Sequence, residues 1–317
     1  MFDFTPDPIA IRIGPLEVHW YGVAYAVGLA AVYFLLTRLA ARRGRNPDLV
    51  ANGMLVVALA ALIGGRLYHV IDQWQLYRDN PLAIVLPPYS GLGVYGGIVT
   101  GTIAAWAYVR RKGEPFWEWA DIVAPGLFLM QAIGRWGNFF NQELYGPPTT
   151  LPWGIAIQCK NRIEAYACPP GSDPNATLGQ SFHPLFLYES LAGLLGMAFL
   201  LYLGSRYRHR LRPGDLLFVF FIWYGVVRFA LETLRSGNWT FFGVPTAQLV
   251  SLAFVAVGIV GLIVRHRSGR PAEAVAVRAT EPAVGTPARE HEPPPPEPPV
   301  PKRPTRARRT READRGT

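Results

Sequence analysis

Charge is what this chain has little of. Only 17 % of its 317 residues are Asp, Glu, Lys or Arg, against about 25 % in ordinary soluble domains. Cysteine is nearly missing too, with two in the whole chain, which excludes a disulfide-built scaffold and a thiolate-rich metal centre. No segment alternates with the period of two that a membrane β-barrel requires. No internal repeat of the kind found in many transporters is visible. Before the first apolar run stand Asp3, Asp7 and Glu17 where a cleavable signal peptide would carry basic residues, so that run reads as a retained anchor.

What the chain has instead is hydrophobic residues, half of the total. They gather into seven runs, at 20–40, 50–71, 93–110, 116–137, 184–204, 214–232 and 245–265. Each approaches the ~20 residues needed to cross a hydrocarbon core, and in lipid only helices or closed barrels satisfy the backbone. The expected fold is therefore all-α: a polytopic membrane bundle of about seven transmembrane helices.

Basic residues set the expected orientation, because they are retained on the cytoplasmic side. Arg38, Arg42, Arg43 and Arg45 follow the first run; Arg110, Arg111 and Lys112 the third; Arg206, Arg208, Arg210 and Arg212 the fifth; Arg265, Arg267 and Arg270 the last. The other connections hold only Arg78, Lys160, Arg162 and Arg235. The N-terminus is thus expected outside and the C-terminus in the cytoplasm, with a small extracytoplasmic loop region at about 138–183. The net charge of +9 needs no nucleic acid, since the inner loops and tail carry most of it. Two domains are expected: an integral membrane part over 1–269 and a disordered Pro/Ala/Arg/Glu-rich cytoplasmic tail over 270–317, solvated or resting on anionic head groups. Cys159 and Cys168 share the long outer connection, either as a loop staple or as two free thiols.

On this topology the ionisable residues inside the runs converge on one depth. Arg66, His69, Arg135 and Arg228 fall in the outer half, and Tyr21, Tyr95, Tyr188 and Glu189 open inward-running helices at the same level. Snorkelling arginines would populate both interfaces; a shared polar pocket explains why these favour one. Arg228, Glu232 and Arg235 lie at i, i+4 and i+7 on one helix face, where one carboxylate between two arginines leaves surplus positive charge. The apolar stretch from Ile122 to Ile133 runs into "GRWGNFFNQELYG" at 134–146, which adds Arg135, Asn138, Asn141 and Glu143. Forked donors beside amides and carboxylates suit a phosphate. In "SGLGVYGGIVTG" at 90–101, Gly96 and Gly97 allow a ligand or another helix to approach closely, and Gly97 and Gly101 form a small-xxx-small pair.

"GRWGNFFNQELYG" matches every fixed position of the pattern G-R-x-G-N-F-x-N-x-E-x-x-G, and so resembles the signature of the bacterial prolipoprotein diacylglyceryl transferases. "HWYGVAYAVG", "GGR" at 64–66, "HPLFLYES" at 183–190 and "YGVVRFALETLR" at 224–235 extend the resemblance, in order, over most of 12–265. It implies a multi-pass enzyme of the bacterial inner membrane, working in the extracytoplasmic leaflet at the first step of lipoprotein maturation. Such an enzyme moves the diacylglyceryl group of phosphatidylglycerol to the lipobox cysteine of a prolipoprotein signal peptide, forming a thioether and releasing glycerol 1-phosphate. Its partners are those substrates and the surrounding membrane lipids, with no metal and no organic cofactor.

The resemblance carries Arg135, Asn138, Asn141, Glu143 and Arg228 into the site, with Arg135 and Arg228 on the phosphate. Tyr21, Arg66, Gly96 and Gly97 are expected to help bind the lipid; Glu232, Arg235, His69, Tyr188 and Glu189 are expected to support. Many family members have histidine where this chain has Tyr95; a tyrosine of ordinary pKa ~10 is a poor base, yet it can donate a hydrogen bond or relay a proton, so Tyr95 is expected among the catalytic residues with Arg135, Arg228 and Glu143. His69, Glu143, or a thiol acidified by the arginines without a dedicated base are the open choices. The competing class is a transporter or channel for an anionic solute, since buried ionisable residues also mark permeation paths.

Overall fold

The computed structural model describes residues 4–14, 16–84, 91–235 and 240–267. The expected tail, 270–317, lies outside them. A short antiparallel pair, β1 (Ile9–Ile13) with β2 (Leu16–His19), precedes helices α1 (Trp20–Arg42) and α2 (Asp48–Asp72). There follow α3 (Val94–Arg111), α4 (Phe116–Phe140), the two-residue strands β3 (Ile155–Ala156) and β4 (Ser181–Phe182), then α5 (Leu185–Arg206), α6 (Asp215–Glu232) and α7 (Thr246–Arg267). The seven expected helices are thus present, with ends within three residues of those read from the apolar runs.

The helix ends follow local chemistry. Pro115 precedes α4, where its missing N–H costs nothing. Gly214 takes φ +100° before α6, a left-handed value that suits glycine. Asp48, Glu118 and Asp215 sit in first turns and Arg42, Arg110 and Arg111 in last turns, so the charges oppose the helix dipoles.

Helix α4 is the centre of the bundle. Its Trp119 and Ile122 pack with Val32, Leu36 and Ala40 of α1, and its Ala124 and Phe128 with Leu200 and Leu216 of α5 and α6. The bundle's outer surface is apolar as well: Ile63, Leu195, Val257 and Val264 are more than half exposed. Such a surface suits lipid and is rare on soluble monomers. Helices α1, α2, α5 and α7 are long and apolar enough to cross a membrane. Two of the remaining three, α4 and α6, carry Arg135, Arg228 and Glu232 among their charged residues.

Helices α2 and α3 meet at closer range than side chains ordinarily allow. A Cβ added to Gly96 would stand 2.2 Å from the Gly64 carbonyl oxygen, and one on Gly97 would stand 3.1 Å from that of Ala61. The Thr100 hydroxyl donates to Ala60 O at 2.8 Å across the same seam. Gly96→Ala is therefore expected to push the two helices apart and cost about 1–3 kcal/mol, read as a lower melting temperature in detergent. An unchanged melt would mean that this seam relaxes freely.

Candidate active site

The end of α4 is built for a sharp exit. The helix stops at Phe140, and Gln142 and Leu144 take positive φ values of 52° and 54°, uncommon for residues other than glycine. Gln142 is held there by its partners. Its amide donates to Pro6 O at 3.2 Å and to Gln158 Oε1 at 3.1 Å, and its Oε1 accepts from the Gln158 N–H at 2.9 Å. This buried side chain thereby ties the N-terminal segment and the 141–184 connection to the helix end. Sequence reading passed over Gln142 as a variable position; its place between Asn141 and Glu143 was the available signal.

That connection forms a small cap with its own core of Tyr145, Ile155, Ile157, Phe182 and Phe186. Burial pushes the Tyr145 hydroxyl up from its ordinary pKa although the Ile163 N–H opposes the shift. The phenol stays protonated and serves as a fixed loop anchor. Arg162 donates to Ile157 O at 3.1 Å and Gln180 Oε1 at 2.7 Å. Cys159 and Cys168 are bonded, with Cα atoms 5.5 Å apart, which settles the choice between staple and free thiols.

Beneath the cap, three helices bring their charges together around one carboxylate. Glu189 of α5, 4 % exposed, forms an ion pair with the Arg135 Nε of α4 through Oε2, and its Oε1 lies 3.7 Å from the Arg228 Nη1 of α6. Arg228 Nη2 pairs with Glu232 at 2.7 Å, and Arg235 approaches the same Glu232 oxygen at 4.0 Å. Arg135 Nη1 donates to Asn138 Oδ1 at 3.3 Å, whose amide donates to Glu143 Oε1 at 2.8 Å. Three guanidiniums thus meet three carboxylates, those of Glu189 and Glu232 directly and that of Glu143 through Asn138, so the charges of the network balance. Among the described residues Arg228 Nη1 is buried without a hydrogen-bond partner. A buried donor without a hydrogen bond costs about 1–3 kcal/mol, and the 3.7 Å contact with Glu189 leaves this one available to an anion.

Other expected residues take their places around this cluster. The Tyr21 ring lies on Gly137, where an added Cβ would stand 2.6 Å from it, and stacks on Tyr25 at 5.2 Å. Tyr188 accepts from Trp153 Nε1 at 2.9 Å and lies 3.1 Å from His183 Nδ1. Asn141 caps α4, its N–H bonded to Gly137 O at 3.0 Å.

A second group gathers on α2 and α3. Arg66 donates to the carbonyls of Ile84 at 3.0 Å, Ala83 at 2.8 Å and Gly91 at 3.3 Å, and covers the Tyr77 ring at 5.2 Å. Its guanidinium secures the connection after α2. His69 meets Tyr77 edge-on at 6.0 Å and underlies Gly91, whose added Cβ would stand 2.2 Å from the ring. Tyr95 is half exposed and packs against Tyr68 at 6.1 Å. Gly96 and Gly97, expected to contact lipid, face α2 instead, because two backbones at that distance leave room only for hydrogen. The described residues contain no group of His, Cys, Asp and Glu suited to a metal ion.

Comparison with known proteins shows the family. Residues 8–264 match the family described as prolipoprotein diacylglyceryl transferase. A phosphatidylglycerol–prolipoprotein diacylglyceryl transferase of Nostoc sp. is 38 % identical over 274 residues, covering 85 % of this chain and 93 % of that relative. Proteins of the same name from Chloroflexus aggregans and Gloeobacter violaceus are 38 % and 39 % identical, covering 80 % and 81 % of this chain and 87 % and 92 % of their own. With the family pattern spanning nearly all of the helical bundle and relatives of this similarity matched over most of their length, the chain belongs to the prolipoprotein diacylglyceryl transferase family.

Proposed function

We propose that this protein transfers the diacylglyceryl group of phosphatidylglycerol to the lipobox cysteine of prolipoproteins, at the outer face of a bacterial inner membrane. The observation that carries the reading is the meeting of Arg135 and Arg228, from different helices, on the buried carboxylate of Glu189 that they share. In this reading all seven helices span the membrane, the N-terminus is outside, and the cap over the cluster is extracytoplasmic. The whole of 1–269 acts as one membrane domain with 270–317 as a cytoplasmic tail.

The chemistry follows from charge. The cysteine thiolate attacks the glycerol carbon that bears the phosphate ester; a C–S bond forms and the C–O bond breaks. Glycerol 1-phosphate leaves with the oxygen, and the thiol proton passes to water or to the phosphate. The phosphodiester carries one negative charge, which the Arg135 and Arg228 guanidiniums are placed to meet directly. The departing phosphate carries nearly two, so the guanidiniums bind the transition state more tightly than the bound lipid. Held in place by Glu189, Glu232 and Asn138, they need little reorganisation as that charge develops.

Arg135 and Arg228 act on the phosphate. Asn138, Asn141 and Glu143 orient the head group, and Tyr21 closes the site against α4. Glu189, Glu232 and Arg235 are positioning residues, as is Tyr188. The thiol loses its proton under the influence of the nearby guanidiniums, without a dedicated base. His69→Gln and Tyr95→Phe are accordingly each expected to retain activity within about ten-fold, less than the 10²–10⁴-fold contribution of a general base. A loss of several hundred-fold in either would identify that side chain as the base.

The direct test supplies the purified protein with phosphatidylglycerol and a lipobox peptide. Mass spectrometry should show the peptide gaining a diacylglyceryl group; a peptide that stays unmodified with both substrates present overturns the assignment. Transport of an anionic solute has no observation in its favour. Between the two ends of the bundle Ala124, Phe128, Ala132 and Leu200 are all buried and apolar, and they show no polar path among the described residues.

A further inference from the structure

At the end of the bundle opposite the Arg135–Arg228 cluster, a cleft of about 700 Å³ opens between α1, α4 and α5. One wall is apolar, with Leu39 and Leu201 among its residues, and its mouth carries Arg38, Arg42, Arg43 and Arg208. Arg43 lies 3.8 Å from the buried Asp121, and its Nη2 comes within 3.6 Å of where a Cβ on Gly204 of α5 would stand. Arg38, Arg42 and Arg208 are exposed and have no carboxylate within ion-pair distance among the described residues. Glu118, the next acidic group, is taken by Arg45, whose Nε donates to it at 2.8 Å. Four guanidiniums therefore face one carboxylate.

Arg38 and Arg42 share a helix face at i and i+4, where like charges destabilise a helix unless an anion sits between them. They lie 17 and 21 residues along α1 from Tyr21, about 26 and 32 Å at 1.5 Å per residue. That span matches a hydrocarbon core of ~30 Å, so these arginines stand at the phosphate level of the leaflet opposite the cluster. A soluble phosphate would have no use for the leucine wall beside them. A lipid uses both.

We propose that this cleft binds an anionic glycerophospholipid of the opposite leaflet, its phosphate held by Arg38, Arg42 and Arg208 and one acyl chain lying along Leu39 and Leu201. Basic pockets between membrane helices hold anionic head groups through this combination of charge and apolar wall. The site is separate from the transfer reaction, and its test reads lipid retention without turnover, so either idea can fail alone.

The full-length protein is purified in detergent and titrated with dioleoylphosphatidylserine, whose serine head group sets it apart from phosphatidylglycerol, and with dioleoylphosphatidylcholine. Native mass spectrometry counts the lipids retained. The wild type is expected to hold one phosphatidylserine that the R38Q/R42Q/R208Q variant holds on the order of a hundred-fold more weakly, at roughly five-fold per arginine. Phosphatidylcholine should not distinguish the two, and millimolar glycerol phosphate should not displace the bound lipid. Equal retention of phosphatidylserine by both proteins overturns the proposal, and so does its full displacement by glycerol phosphate, which would assign the arginines to a soluble phosphate. If the triple variant does not fold, benzoylphenylalanine in place of the exposed Tyr202 at the cleft decides the matter in an otherwise wild-type chain. Photo-crosslinking to phosphatidylserine well above phosphatidylcholine supports the site; equal labelling, or none, overturns it.

Discussion

Arg228→Ala is expected to slow diacylglyceryl transfer by about two to three orders of magnitude, the usual cost of removing one preorganised donor from a developing oxyanion. The side chain is shared: Nη2 holds Glu232 at 2.7 Å while Nη1 lies 3.7 Å from Glu189 and, among the described residues, without a hydrogen bond. Removal takes away the donor proposed to meet the phosphate and breaks the 2.7 Å pair with Glu232. Arg228→Lys should recover little, since one ammonium on a flexible stem cannot reach Glu189, Glu232 and a phosphate together. Arg135→Ala should cost a comparable factor, and the double variant much less than the product of the two, because both guanidiniums act on one group. Initial rates of peptide modification, followed by mass spectrometry, give these ratios. Should Arg228→Ala keep its rate within a few-fold, the phosphate binds elsewhere and the proposed mechanism is wrong.

Glu189→Ala is expected to do more than silence the enzyme. Removing one partner of a buried ion pair typically costs about 3–5 kcal/mol, because the other charge remains buried and unmatched. Here two guanidiniums, those of Arg135 and Arg228, would face each other across the space the carboxylate held. At roughly 2–4 °C per kcal/mol for a chain of this size, the melting temperature in detergent should fall by roughly 10 °C. Glu189→Gln keeps the shape and the acceptor oxygen while losing the charge, so its melt should lie between those of wild type and Glu189→Ala. An unchanged melt in Glu189→Ala would mean that the guanidiniums turn to solvent easily and that Glu189 does not fix them.

The charged cluster also accounts for an uneven outcome in reading the helices. All seven were legible as apolar runs, because nearly every residue that faces lipid or protein in such a bundle must be hydrophobic. Only α1, α2, α5 and α7 satisfy length and apolarity together. Helices α4 and α6 carry the ionic residues they bring inward, Arg135 in α4 and Arg228 and Glu232 in α6, whereas α5 brings Glu189 and still reads as a membrane span.

Within the cluster, the sequence pointed to Arg135 and Arg228 from their shared depth and to Glu232 from its spacing. It gave Glu189 a supporting place only. A single carboxylate at the start of an apolar helix has no local partner to reveal it; its role exists because α5 packs beside both α4 and α6. For Arg66, Gly96 and Gly97 the structure shows protein partners. Their residue types suit a lipid phosphate and a close-approaching ligand, yet the guanidinium is engaged by carbonyls of Ala83, Ile84 and Gly91, and the glycines by the backbone of α2.

Hydrophobic spacing and basic-residue placement by themselves determined the class of fold, the number of helices and the level at which polar residues collect, since each is set by how one residue is solvated. Tertiary structure alone decided which arginine meets which carboxylate, which glycine closes a helix seam, and which basic residues gather at the opposite end. Those outcomes depend on distances of a few ångströms between residues far apart in the chain, and linear order does not specify them until the helices have packed.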